Sequence, residues 1–354
     1  MKKSFKNMRK STRRSFITYG FVIIAFIILQ IMNGMGMLSF SLQGMLVPIC
    51  AYVVMAVSLN LTVGILGELS LGHAGFMSVG AFTGVTAAMA LQTAIPFAPL
   101  RLAVGMAVGA VFAAVVGFLI GIPVLRLKGD YLAIVTLAFG EIIKTIFTNL
   151  YVGVDQNGLH IRLLKNLSDL AEDGTMIVRG PMGMGGVAKI STFTAGFVLV
   201  MISLVVVFNL VNSRAGRAIM SIRDNRIAAE SIGLHVTKYK MMAFVVSASL
   251  AGAAGALFAM NYSTIVASKF DFNTSILVLV FVVLGGLGNM LGSIIAAALL
   301  TILPEALRSF ADYRMLVYAI VLILVMLATN NPTLRAWIDQ LQKAVTGKRK
   351  KEAA

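Results

Sequence analysis

Residues 213–239 read Ser213-Arg-Ala-Gly-Arg217-Ala-Ile-Met-Ser-Ile-Arg223-Asp224-Asn-Arg226-Ile-Ala228-Ala229-Glu230-Ser-Ile-Gly233-Leu-His-Val-Thr-Lys-Tyr239. Apolar runs long enough to cross a bilayer flank this stretch, residues 192–211 before it and 241–260 after it. Between them Arg214, Arg217, Arg223, Arg226, Lys238 and Lys240 (just past its end) stand against only Asp224 and Glu230. Short loops rich in Lys and Arg stay inside, so the stretch is expected on the cytoplasmic face. Ile219, Ile222, Ile227 and Ile232 recur at three-to-five-residue intervals among the charges, which predicts an amphipathic helix that Gly233 stops. Such a helix lies on lipid or docks on a cytoplasmic protein. The plainer alternative is a solvated loop whose charges only set orientation.

The whole chain agrees that the bilayer is its solvent. Over 354 residues it is 58% hydrophobic and only 12% charged, with a mean hydropathy of +0.90. A soluble domain of that balance would expose large apolar patches and aggregate. The net charge of +16 would point to nucleic acid in a soluble protein. Here 21 of the 30 Lys and Arg fall in four segments: residues 1–15, the Arg126/Lys128 turn, the central loop and residues 331–354. All four are expected inside, so the surplus reads as orientation and contact with anionic headgroups, with no nucleic-acid partner. Cys50 is the only cysteine, which excludes an intramolecular disulfide and a thiolate metal site. His73, His160 and His235 are too scattered for a metal cluster, and no metal is expected.

Read in order, the chain is predicted to hold a basic cytoplasmic tail (residues 1–15), a transmembrane domain (16–330) and a second basic cytoplasmic tail (331–354). The start is basic and then apolar, with no small-residue cleavage site, and predicts a retained first span. Crossings are expected at 16–37, 41–63 (interrupted by Pro48), 64–91, 100–122, 131–150, 192–211, 241–260, 275–289, 290–304 and 315–330. Residues 151–189, with balanced charge, form the external loop, and both termini are inside. The fold class is an all-α polytopic membrane protein of about ten transmembrane or partly broken helices.

Two apolar regions are interrupted by glycine, residues 64–84 and residues 285–292 (Gly285-Gly286-Leu-Gly288-Asn-Met-Leu-Gly292). Paired interruptions point to a transport path, because broken helices bring backbone polar groups to a cavity. Gly72, Gly285, Gly286 and Gly288 are therefore path candidates; alternatively these glycines permit tight helix crossing. His73 either lines the path or is a hydrogen-bonded packing histidine. Glu141 and Lys144 lie three residues apart inside a span, where an ionisable group needs a partner or water. They either line the path or pair to pin neighbouring helices. No Gly-x-x-x-x-Gly-Lys-Ser/Thr occurs, since Gln342 stands where the first Gly before Gly347-Lys348 would be needed. No catalytic constellation is present either, so the chain is not expected to be an enzyme or to bind a cofactor itself; any ATP is expected on partner subunits.

Ile227-Ala228-Ala229-x-x-x-Gly233 resembles the Glu-Ala-Ala-x-x-x-Gly loop by which ABC-transporter permeases engage their ATPase subunits, with Ile227 where the acidic residue usually stands. The full run from Ser213 to Lys240 is similar to that of the LivM-type branched-chain amino acid permeases. The segments Asn60…Gly67-Glu68-Leu-Ser70-Leu-Gly72-His73-Ala-Gly75, Arg126…Gly140-Glu141 and Val283-Leu-Gly285-Gly286-Leu-Gly288 extend the likeness over most of residues 59–305. The outer element Arg179-Gly-Pro181-Met-Gly183 and the ending Asn330-Asn-Pro-Thr-Leu depart from the family's usual Thr-Gly-Gly-Pro-Asn-Gly and Arg-Pro-x-Gly-Leu. The resemblance implies an ABC importer permease fold in a bacterial cytoplasmic (inner) membrane, moving branched-chain or related hydrophobic amino acids inward. It implies as partners a paralogous second permease, two ATP-binding cassette ATPase subunits and an extracytoplasmic substrate-binding protein. It places ATPase coupling at Arg217, Arg223, Asp224, Arg226, Ala228, Ala229, Glu230 and Gly233, with Ala228 and Ala229 as a small surface for close approach. Asn60, Ser70 and Glu141 join the path candidates. An ABC permease for urea or short amides, an ion-coupled secondary transporter and a membrane scaffold remain as other readings.

Overall fold

Apolar stretches of this length in lipid must satisfy their own backbone, and the chain does so mainly with helices. The structure, a computed structural model, describes residues 10–92, 94–127, 129–155, 158–163, 175–307 and positions 316, 319, 320 and 323. The expected tail 331–354, the last crossing at 315–330 and part of the external loop thus lie outside, or almost wholly outside, the described residues. The contacts divide the chain into two units, residues 1–298 and 299–354. The second unit begins inside the last described helix, and everything below concerns the first.

The helices are α1 (Lys10–Gly34), α2 (Phe40–Asn60, continued by a π-helical turn Leu61–Leu66), α3 (His73–Ala90), α4 (Ala98–Val124) and α5 (Asp130–Thr148). After a small sheet come α6 (Phe193–Asn212), α7 (Arg214–Asp224), α8 (Arg226–Ser231), α9 (Val236–Ala259), α10 (Phe272–Gly285) and α11 (Met290–Ala306). Among the described residues seven helical segments are long and apolar enough to cross a membrane: Ser15–Gly34, Phe40–Leu66, Ala98–Val124, Asp130–Thr148, Phe193–Asn212, Val236–Ala259 and Ala267–Gly285. α3 and α11 are shorter apolar helices beside them, so the molecule is an all-α polytopic membrane protein.

Burial sorts these helices. In an apolar 18-residue stretch of each segment, 83% of the residues are buried in Phe40–Leu66 and 72% in Val236–Ala259, against 17% in Ser15–Gly34. α2 and α9 therefore form the centre, and α1 lies at the edge. The outer faces of α4 and α6 carry exposed Val111, Phe112, Val115, Leu119, Val198 and Ile202, a surface that only lipid or another apolar helix would cover.

The seam of the bundle is made by α3, α4 and α9. A β-carbon on Gly80 would collide with the backbone of Gly252, and one on Gly109 would come within 2.7 Å of the Gly80 carbonyl oxygen. One on Gly84 would come within 2.6 Å of the Ala256 β-carbon. Small residues here let three backbones touch. Pro48 does not interrupt α2, although proline removes one ladder hydrogen bond. The Gly44 carbonyl it leaves free accepts from Asn261 Nδ2 at 3.5 Å.

The stretch expected as the external loop, together with residues 264–265, holds structure that its polar composition concealed. β1 (Leu150–Asp155), β2 (Gly158–Leu163), β3 (Thr175–Arg179), β4 (Met184–Gly185) and β5 (Thr264–Ile265) form one antiparallel sheet ordered β2-β1-β3-β4-β5. Val152, Ile177, Val178, Met184 and Ile265 are its buried side chains. The crossing expected at 64–91 is also corrected: residues 64–66 finish the helix begun at Phe40, residues 67–72 break it, and α3 starts at His73.

Candidate functional site

α5 runs from Asp130 to the sheet, α6 runs from the sheet side to α7, and α9 runs from α8 back to β5. The sheet and the helix pair α7–α8 thus cap opposite ends of the same spans. Ser213 starts α7, its Oγ accepting from Gly216 N at 3.1 Å. The single helix expected through Gly233 is instead two. Asn225 leaves helical geometry (φ −154°, ψ 103°) and caps α8 through Oδ1, which accepts from Ala228 N at 3.0 Å. Asparagine competes for its own backbone in this way, which favours caps over helix interiors. Gly233 does end α8, in left-handed geometry (φ +84°), with Leu234 N donating to Ala229 O at 3.1 Å.

The break at Asn225 rotates the isoleucines apart. Ile219 and Ile222 are buried, whereas Ile227 is 80% and Ile232 75% exposed. Ala229, 2% exposed, packs with Ile222 and Val236 in a small core flanked by Leu234 and Tyr239. The expected Ala228–Ala229 surface is therefore corrected: Ala228 is exposed, and Ala229 fastens α8 to α7 and α9. Ile227 and Ile232 are the apolar side chains this pair presents outward.

Three of the arginines around them have partners within the chain. Arg217 Nη1 donates to Asn212 O at 3.3 Å, and Arg226 Nε to Glu230 Oε1 at 2.9 Å. Arg223 pairs with Asp224 Oδ1 at 2.9 Å, and its Nη1 reaches Gly64 O at 3.0 Å. That carbonyl lies in the last turn of a helix, where carbonyls lack partners and a cation is favourable. A few residues on, the Glu68 carboxylate pairs with Lys240 of α9, the two side chains 14% and 7% exposed. Gly67 (φ +81°) makes room: a β-carbon there would lie 2.6 Å from Arg223 Cγ. An open cleft of about 580 Å³ lies here, lined in part by Gly67, Glu68, Asp130, Arg223, Ile227 and Lys240.

The two glycine-rich interruptions, over 200 residues apart in sequence, meet. Asn60 Oδ1 accepts from Gly288 N at 2.8 Å, and its Nδ2 donates to Ser293 Oγ at 2.8 Å. A β-carbon on Gly64 would collide with Asn60 Oδ1 and Gly288 N. Gly286 (φ +91°) and Gly288 (φ +78°) turn the chain between α10 and α11, where Gly285 lies against Gly292 and Ser293.

The remaining path candidates lie apart from this junction. His73 Nε2 is 2.8 Å from Ser58 Oγ, which itself donates to Met55 O at 2.9 Å, so the ring donates to Ser58. The histidine is 2% exposed. A β-carbon on Gly72 would collide with the Thr136 carbonyl oxygen, a close helix approach. The Ser70 hydroxyl, like those of Thr62 and Ser78, is buried without a hydrogen-bond partner among the described residues. Glu141 and Lys144 pair with each other on a partly exposed face of α5. Sequence reasoning missed the parts played by Lys240, Ser58, Thr136 and Ser293. For Lys240 a signal existed: a lone lysine beyond the first turn of a span needs a partner.

A polytopic bundle whose broken helices meet beside a capped amphipathic helix pair defines a membrane permease component. The chain belongs to the family described as branched-chain amino acid transport system / permease component, which it matches over residues 41–326. It is 35% identical over 290 residues to the high-affinity branched-chain amino acid transport system permease protein LivM of Escherichia coli (strain K12), covering 78% of this chain and 66% of that one. The LivM protein of Salmonella typhimurium (strain LT2) is 34% identical over the same length and coverage. The match thus spans 66% of the length of these curated relatives. A more distant relative, 25% identical over 247 residues, is the fructose import permease protein FruG of Bifidobacterium longum, with 66% of this chain and 67% of that protein covered. No solved structure matches the chain.

Proposed function

We propose that this chain is the membrane-spanning permease subunit of an ATP-driven ABC importer that carries branched-chain amino acids into the cytoplasm. The observation that carries the proposal is the helix pair α7–α8, which presents Ile227 and Ile232 outward while holding the break of α2 through Arg223. Two apolar side chains on a helix pair whose acids, Asp224 and Glu230, are both taken up by its own Arg223 and Arg226 suit the groove of a cytoplasmic ATPase. The sequence holds no phosphate-binding loop, so ATP would be bound and hydrolysed by two partner subunits. A second, paralogous permease and an extracytoplasmic binding protein would complete the assembly, as the resemblance to the LivM-type permeases implies. The fructose permease is too distant to displace amino acids as the first substrate to try.

The proposal fixes orientation. The basic loop that forms α7 and α8 faces the cytoplasm with both termini, and the sheet faces out. Met182 and Ile232, 70% and 75% exposed, lie at the two ends. In a Cys50→Ala background, Met182→Cys should react with a membrane-impermeant maleimide on intact cells. Ile232→Cys, in cells expressing the chain without ATPase subunits, should react only after permeabilisation. The opposite pattern would reverse the topology and remove the ATPase-docking role of α7–α8.

A further inference from the structure

Arg223 joins two features that sequence reading treats separately, the amphipathic helix pair and the broken span. It stands in the last turn of α7, and its Nη1 donates to the carbonyl of Gly64, inside the π-helical turn that ends the central helix. Its aliphatic stem passes against Gly67, the left-handed glycine that terminates that turn. The same turn packs on the second break, where Gly64 abuts Gly288 and Asn60 bonds both Gly288 N and Ser293 Oγ. A contiguous chain of contacts therefore runs from α7 to the loop between α10 and α11: a hydrogen bond from Arg223 to Gly64, then close backbone packing of Gly64 on Gly288 beside the Asn60 hydrogen bond. A π-helical turn is a rare local arrangement, often found at functional sites.

Resting on the proposed ABC-importer reading, we propose that Arg223 is a positioning residue that transmits displacement of the helix pair α7–α8 to the paired breaks, through its hydrogen bond to the Gly64 carbonyl. Its guanidinium serves inside the chain and not as a docking charge for a partner. Glu68–Lys240 is the hinge beside it: that pair ties the loop after the break to α9, so the break turns about a fixed point while Arg223 pulls on its last turn. Arginine suits the task because its planar fork engages Asp224 and Gly64 O together, which a single ammonium group cannot do with the same geometry.

The test uses the assembled transporter purified with its ATPase subunits, carrying Cys50→Ala. Leu287, 58% exposed in the second break and next to Gly288, is replaced by cysteine as a reporter. Its maleimide labelling rate is compared without nucleotide and with a non-hydrolysable ATP analogue. With Arg223 present, nucleotide should change the rate at least about fivefold, the low end of coupling between distinct sites. Arg223→Met should make the rate insensitive to nucleotide while the ATPase subunits still co-purify, and Arg223→Lys should restore part of the response. Gly67→Ala reaches the same contact from the other side, pushing the arginine stem away, and should also blunt the response. A full nucleotide response in Arg223→Met or in Gly67→Ala overturns the relay. Failure of the Arg223-containing chain to bring down any ATPase is a different result and overturns the importer reading itself.

Discussion

Gly80→Val is expected to remove nearly all folded protein from the membrane. The first added carbon would collide with the carbonyl oxygen, Cα and carbonyl carbon of Gly252, and none of these backbone atoms can rotate away. α3 and α9 would have to separate, and α4 with them, because Gly109 rests on the Gly80 carbonyl from the other side. Ordinary overpacking against flexible side chains costs about 1–3 kcal/mol, and an obstacle of backbone should exceed that. Gly20 is the matched control: nothing lies within 4 Å of a β-carbon there, so Gly20→Ala should accumulate as the parent does. Yield and melting temperature of the detergent-extracted chain decide the point. A parental melting temperature for Gly80→Val would mean that α3 and α9 do not touch.

The second large effect concerns the ion pair at the broken span. Lys240→Met leaves the Glu68 carboxylate, 14% exposed, without its counter-ion. Breaking a buried pair by removing one partner typically costs about 3–5 kcal/mol, while removing both is often close to neutral. The expected pattern is a large fall in thermal stability for Lys240→Met, a comparable fall for Glu68→Gln, and substantial recovery when the two are combined. A double-mutant cycle on melting temperature reads the coupling directly. Additive losses in the double variant would show that the two charges do not depend on each other.

Much of this architecture could be read from the residues alone, and the failures share a cause. Membrane residence, the spans flanking residues 213–239 and the two glycine-rich interruptions follow from local composition and spacing. So does the Glu141–Lys144 pair, because three residues along a helix bring side chains to one face. What failed was helical phase across a break. Ile222 and Ile227 fit one stripe only if the helix is continuous, and Asn225 resets the rotation, burying Ala229 and exposing Ile227. Which distant segments meet, as in Asn60 with Ser293 or Lys240 with Glu68, has no local signature, even where the need for a partner, as at Lys240, does. The sheet did have one. Val152 and Val154, then Leu159 and Ile161, alternate on either side of a short polar stretch, a hairpin signal masked by the polar residues around it.

The departure of Ile227 from the acidic residue usual in ABC permease loops acquires a physical sense in this fold. An acid at that point would add a further carboxylate to a cleft where Glu68, Asp130 and Asp224 are already balanced by Arg223, Arg226 and Lys240. Isoleucine instead offers an apolar side chain, 80% exposed, beside Ile232. A receiving ATPase would then need an apolar groove in place of a basic one.

The most direct measurement is ATP-driven transport by the assembled complex. Proteoliposomes carrying this chain with its co-purified ATPase and permease partners, supplied with the binding protein and radiolabelled leucine outside and ATP inside, should accumulate leucine against its gradient. Accumulation should stop when a non-hydrolysable analogue replaces ATP and should be indifferent to a proton ionophore. Leucine accumulation by this chain alone, abolished by the ionophore and unaffected by ATP, would contradict the account and identify an ion-coupled carrier.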